Sequence, residues 1–205
     1  MNKKVNIKRD GPESRRRIIN VAVRLFAQHG YAGTGMREIS AEAEVNLAMI
    51  NYFFGSKKGL LKEILDTFYA KYIEIALREL EQEGQMEIKL ERFIHGTISF
   101  FDTYKDYLLV TINELPHDDP EILEHKASWA QKMIAVLERE ICRPLAFEKG
   151  TVISSTVLGP LLTATMASRF LFAPVMDQVR PENIPKESLE EYSEMISTSL
   201  LKMIS

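Results

Sequence analysis

A chain of 205 residues, 45% hydrophobic and 27% charged with a net charge of −3, has the composition of a soluble globular protein of one or two small domains. Its single cysteine, Cys142, excludes an intrachain disulfide and argues against a thiolate metal site. The basic N-terminal stretch is followed by no apolar run, so the expected location is the cytoplasm and not a secreted compartment.

Along the chain the apolar residues recur at helical spacing, and no run alternates over strand lengths. The first predicted helix opens near Pro12 and stops at His29-Gly30, with Ile18, Ala22, Leu25 and Phe26 as its apolar stripe. Arg15, Arg16 and Arg17 lie at its start, where each cation opposes the helix dipole by up to ~1 kcal/mol, a placement that suits an external anion. A short second helix follows Thr34 and turns Met36, Ile39 and Ala43 inward. After a turn at Glu44-Val45, Asn46 caps a third helix, NLAMINYFF, of barely two turns. Ser56 caps a long fourth helix that runs to about Gly84, and further helices are expected over Glu87–Tyr104, Tyr107–Leu115, Asp119-Pro120 to Ile141, Thr151–Ala173 and Pro185 to about Ile204. The expectation is an all-α protein of about nine helices, with a long helix joining an N-terminal three-helix head to an all-helical body.

Charge divides the chain in the same place. Residues 1–60 carry eleven Lys/Arg against five Asp/Glu, and residues 61–205 carry fifteen against twenty-four. A basic end on an acidic body points to a polyanion at the head. Lys3, Lys4, Lys8 and Arg9 read equally well as a solvated tail, but Arg15 to Arg17, Arg24, Arg37, Lys57 and Lys58 lie inside patterned helices. The division expected is a head over 1–58 and a body over 59–205.

A helix of two turns is marginal by itself, so the third helix needs a reason. With Ile50, Val45 and Phe54 buried against Ile39, Leu25 and Phe26, the opposite face presents Asn46, Leu47, Ala48, Met49, Asn51 and Tyr52. Amide, aromatic and apolar groups on one short helix suit base edges and thymine methyls in a major groove. Lys57 begins the next helix, where an ammonium and free backbone N–H groups can hold one phosphate together. Three short helices with a tight turn before the third make a helix-turn-helix.

The segment RRRIINVAVRLFAQHGYAGTGMREISAEAEVNLAMINYFFGSKKGLL resembles the DNA-binding domain of TetR/AcrR-type transcriptional regulators. The resemblance spans about residues 14–62 and rests on LFAQHGY, Thr34 with Ile39, Ala43 with Val45, and the run from Ile50 to Leu60. It implies a repressor that binds a palindromic double-stranded DNA operator as a homodimer through its last two helices. A pocket among the middle helices would accept a small-molecule effector that releases DNA. Thr34 and Lys57 match the family positions that contact phosphate, and Arg37 adds a cation beside them. Glu44 stands where the family usually has Gly, and a left-handed residue there costs ~1–2 kcal/mol. Asn51 replaces the usual Tyr, and Phe53 lacks the polar group that commonly touches phosphate.

In the body, Phe93, Phe100, Phe101, Tyr104, Trp129, Met133, Met166 and Phe170 suit a mostly apolar effector, with His95, Asn113, Glu114 and Arg169 as polar contacts. Each of these aromatic residues also reads as ordinary core. Residues 152–173 are long and apolar, but Arg169, Pro160 and six Ser/Thr argue against a membrane span. A helix apolar all round, with a last helix whose seam is Leu189, Tyr192, Ile196, Ser199 or Leu200, and Met203, suits a four-helix dimer bundle. No metal spacing, phosphate loop or nucleophile motif is present, so no cofactor, metal or enzymatic activity is expected; His117 with Asp118 and Asp119 reads as a helix cap. The rival from another class is a helical enzyme or small-molecule carrier with a vestigial helix-turn-helix.

Overall fold

The structure, a computed structural model, describes residues 11–112, 119–149 and 154–204. The expectations placed on the N-terminal arm, Asn113, Glu114, His117, Asp118 and the helix start at Thr151 lie outside these residues. The described residues form α1 (Gly11–Gly33), α2 (Met36–Glu42), α3 (Leu47–Phe54), α4 (Lys57–Leu80), α5 (Met86–Thr103), α6 (Lys105–Ile112) and α7 (Pro120–Leu137). A π-helical turn, Glu138–Cys142, joins α7 without a break to α8 (Arg143–Lys149); α9 (Ser155–Val179) and α10 (Leu189–Ile204) follow. Counting α7 to α8 as one rod, the described residues make nine helices and no strand.

The chain divides into two compact units, one of Met1–Phe68 with Asp106–His125 and one of Tyr69–Lys105 with Lys126–Ser205. In the first unit the predicted stripe of α1 is buried against Ile39, Ala43 and Ile50, with Leu60, Leu61, Ile64 and Leu65 of α4 completing the core. Gly30 interrupts the helical backbone of α1 with φ 75°, a left-handed value that favours glycine. The Thr34 hydroxyl lies 2.9 Å from the Gly30 carbonyl and 3.2 Å from that of Leu25, serving acceptors that a helix end leaves open.

In the second unit α5 packs its buried Leu90, Phe93, Ile94, Ile98 and Phe101 on α9 and α10, which contribute Leu158, Leu162, Met166, Phe170, Tyr192, Ile196 and Leu200. Tyr192 joins α10 to α9: its hydroxyl donates to the Thr165 carbonyl at 2.8 Å, and the Arg169 guanidinium stands 5.4 Å over its ring. A β-carbon on Gly159 would lie 3.2 Å from Leu137 Cδ1, so α9 makes a close approach to α7 there.

Helix ends differ from the sequence reading in several places, and the seventh, expected to end near Ile141, runs on through the π-helical turn to Lys149. The fourth helix stops at Leu80, four residues before Gly84. The ninth continues through Pro174 to Val179, although proline gives up one backbone hydrogen bond there. The last begins at Leu189 and not at Pro185, because Ser188 and Glu191 cap each other: Glu191 N donates to Ser188 Oγ at 3.1 Å and Ser188 N to Glu191 Oε2 at 2.7 Å.

Candidate nucleic-acid interface

The turn before α3 is built by its own backbone. Glu44 adopts φ 54°, the left-handed value that its sequence position demands and its side chain disfavours. Val45 N donates to Ser40 O at 3.1 Å and Ser40 Oγ to Val45 O at 2.6 Å, holding the strained residue between two bonds. Asn46 Oδ1 then accepts from Met49 N at 2.8 Å, which caps α3. Gly55 ends the helix with φ 72°, and Ser56 Oγ accepts from Gly59 N at 3.0 Å to open α4.

Ile50, fully buried, pins α3 to the head. Asn46, Ala48, Asn51 and Tyr52 are exposed, Tyr52 to 76%, and Leu47 is half-buried. Arg37 is exposed on α2. Leu47, Ala48, Asn51 and Tyr52, at spacings of one and four, share one accessible face of α3 that mixes apolar, amide and aromatic groups.

Two of the expected contacts fall elsewhere. Met49 is only 5% exposed, because it sits one residue before Ile50 on the side of α3 that packs inward, so it belongs to the core and not to the open face. Thr34 is 2% exposed and its hydroxyl is engaged by the carbonyls at the end of α1, so its side chain is a structural cap. Of the N-terminal arginines, Arg15 is bound to Glu63 at 2.6 Å and lies over the Phe54 ring, while Arg16 and Arg17 remain exposed.

Lys57 is half-buried at the start of α4, with its ammonium 4.3 Å from the centroid of the Tyr31 ring. Burial lowers its pKa below the ordinary lysine value. Lys58 has a different neighbourhood: its ammonium binds Asp119 at 2.7 Å and Glu121 at 3.0 Å, and Lys62 binds Glu121 at 2.6 Å. The hydrogen bond from Lys58 holds Asp119 below its usual value, and those from Lys62 and Lys58 do the same for Glu121. Asp119 also caps α7 by accepting from Glu121 N and Ile122 N. Sequence reasoning found that cap but not the lysines it binds, since a separation of sixty residues leaves no local pattern.

The aromatic residues expected at an effector site pack on one another in the second unit. Tyr72 stacks on Phe93 at 6.2 Å and meets Phe101 edge-on at 5.5 Å; Phe100 contacts Phe101 and Tyr104, and Phe170 contacts Phe101. Met166 is buried, Met133 is half-buried, and Trp129 stacks on Tyr69 and has the Lys132 ammonium 3.7 Å from its ring centroid. Burial pushes the Tyr69 and Tyr72 phenols up to about 12. Arg169 pairs with Glu187 at 3.1 Å. His95 Nε2 and Thr97 Oγ1 on α5 are buried without a hydrogen-bond partner among the described residues.

A capped two-turn helix on a buried isoleucine, preceded by a tight turn and followed by a cation at a helix start, defines a helix-turn-helix head. Residues 18–64 match the family described as bacterial regulatory proteins, tetR family. The chain is 30% identical over 119 residues to the probable HTH-type transcriptional regulator YttP of Bacillus subtilis, a match covering 57% of each chain. The chain thus spans just over half the length of that relative. It is 25% identical over 176 residues to the HTH-type transcriptional repressor SCO4008 of Streptomyces coelicolor, covering 84% of each. The fold is similar to the crystal structure of FadR from Bacillus subtilis in complex with stearoyl-CoA, with a TM-score of 0.70 at 17% identity, over 92% of this chain and 96% of that one. The match places residues 18–64 with the DNA-binding domains of TetR-type regulators, and the chain as a whole shares the fold of the solved structure.

Proposed function

We propose that the chain is a cytoplasmic transcriptional repressor, not an enzyme, that reads a palindromic double-stranded DNA operator as a homodimer. Residues 1–58 form the reading head and 59–205 the effector-binding and dimerisation body. The exposed face of α3 carries the reading: Asn46, Leu47, Ala48, Asn51 and Tyr52 enter the major groove, while Arg37 and Lys57 hold phosphates. Thr34 and Met49 support that face from within.

The dimer contact is assigned to α9 and α10. Val157, Leu161, Phe172, Val175 and Met176 on α9 and Met195 on α10 are exposed apolar side chains. α9 is long and apolar enough to cross a membrane by length and composition, but Arg169 binds the Glu187 carbonyl just before α10 and Tyr192 ties α10 to α9, and a partner helix accounts for its apolar side. The effector is a small, mostly apolar molecule received among Phe93, Phe100, Phe101, Tyr104, Trp129, Met133, Met166 and Phe170, and its binding releases DNA. The bound stearoyl-CoA of the FadR structure is in keeping with a largely apolar ligand. A ligand shifts the DNA-binding equilibrium only by its differential affinity, so ~100-fold release needs ~2.7 kcal/mol.

Selection of bound fragments from random DNA, followed by gel shifts with salt titrated, tests the reading. A palindrome should emerge, affinity should fall steeply with salt, and Lys57→Ala should reduce the salt slope by about one. Equal binding to random and selected DNA at every salt would favour a helical carrier or enzyme with a vestigial head.

A further inference from the structure

The two lysines that open α4 are adjacent in sequence and opposite in circumstance. Lys58 is closed off by Asp119 and Glu121. Lys57 pairs with no carboxylate among the described residues; its ammonium lies 4.3 Å from the Tyr31 centroid and 5.9 Å from that of Phe26. Tyr31 in turn meets Phe26 edge-on at 5.4 Å, and Phe26 is buried, so the ring is braced from behind. The negative face of an aromatic ring attracts a cation without neutralising it. A carboxylate would compete with an incoming phosphate, and a ring face does not.

We infer that Tyr31 is a positioning residue for DNA binding: its ring face seats the Lys57 ammonium at the start of α4, apart from Asp119 and Glu121 and available to a backbone phosphate. The inference rests on the reading of Lys57 as a phosphate contact. It also gives the neighbouring charges separate tasks. Asp119 and Glu121 are engaged by Lys58 and Lys62, and of the two adjacent lysines it is Lys57 that is kept for an external anion.

A double-mutant cycle on the full-length chain tests the seat, with a random-sequence duplex as probe because a phosphate contact is indifferent to base order. Tyr31→Leu should weaken binding about two- to fivefold, the range a cation–π contact supplies. Tyr31→Phe should match the parent, and Tyr31→Leu should have no further effect once Lys57→Ala is present. An equal loss from Tyr31→Leu in both backgrounds, or a Tyr31→Phe variant as weak as Tyr31→Leu, overturns the inference. Should Tyr31→Leu misfold, stepwise fluorination of a phenylalanine at position 31 drains the ring face while keeping its shape. Affinity should fall with each fluorine, and a flat series overturns the inference. The Lys57 ε-methylene protons give a readout free of DNA: the ring should shift them upfield in the parent. A normal shift overturns the seat, whereas a shifted lysine in a protein that ignores every duplex overturns the regulator reading.

Discussion

The carbonyl oxygen of Phe54 stands 2.0 Å from the point where a β-carbon on Gly59 would sit, so α3 and α4 meet at backbone contact distance. The obstacle is main chain and has no rotamer to yield. Gly59→Ala should therefore cost ~2–3 kcal/mol, at the upper end of overpacking effects, and displace the end of α3. Urea denaturation checks the loss. Gel shifts at a temperature where the variant stays folded should show weaker operator binding.

Glu44 is the converse case, a side chain where glycine would be at ease. Its φ of 54° is held by the Ser40–Val45 bonds. Glu44→Gly removes ~1–2 kcal/mol of strain and adds chain entropy to the unfolded state, for a net gain of ~0.5–1 kcal/mol. A higher Tm with unchanged DNA affinity is the expected result.

Thr34→Val separates a structural hydroxyl from a phosphate contact. The hydroxyl is buried against the Leu25 and Gly30 carbonyls, so its loss should cost ~1–2 kcal/mol of stability. The salt slope of DNA binding should stay that of the parent. A slope reduced by about one would return Thr34 to the phosphate-binding set.

Acid should loosen the tie between α4 and α7. Asp119 and Glu121 lie below their ordinary values of 3.8 and 4.5 in the folded chain, first through the hydrogen bonds from Lys58 and Lys62 respectively. A depressed carboxylate stabilises fully above its unfolded value, and that contribution is lost as pH falls through the folded one. Asp119→Asn keeps the capping oxygen and drops the charge. The parent should therefore be the more stable in urea above about pH 5, with the difference fading only as pH falls below the ordinary aspartate value of 3.8. Added salt should shrink it at neutral pH as well.

Local features were legible because their causes are local. The caps at Asn46, Ser56 and Asp119 are short-range hydrogen bonds, and the stripe from Ile18 to Phe26 is a periodicity. The left-handed Glu44 was legible only through the family resemblance, which puts Gly at that position of the turn. Met49 was misplaced because a two-turn helix has too few residues to fix which side of its stripe is inward. Thr34 matched a family position while its hydroxyl went to backbone acceptors, a choice set by where α1 breaks. The Lys58–Glu121 and Arg169–Glu187 pairs needed the fold, since only packing brings those residues together.

The buried thiol of Cys142, set within the π-helical turn and pushed up in pKa by burial, has a practical consequence. A protonated, covered sulfur reacts slowly with maleimides. A dye could thus be attached to the exposed side of α1 through Asn20→Cys without first removing the native cysteine, and the head could be followed by fluorescence with the open face of α3 intact.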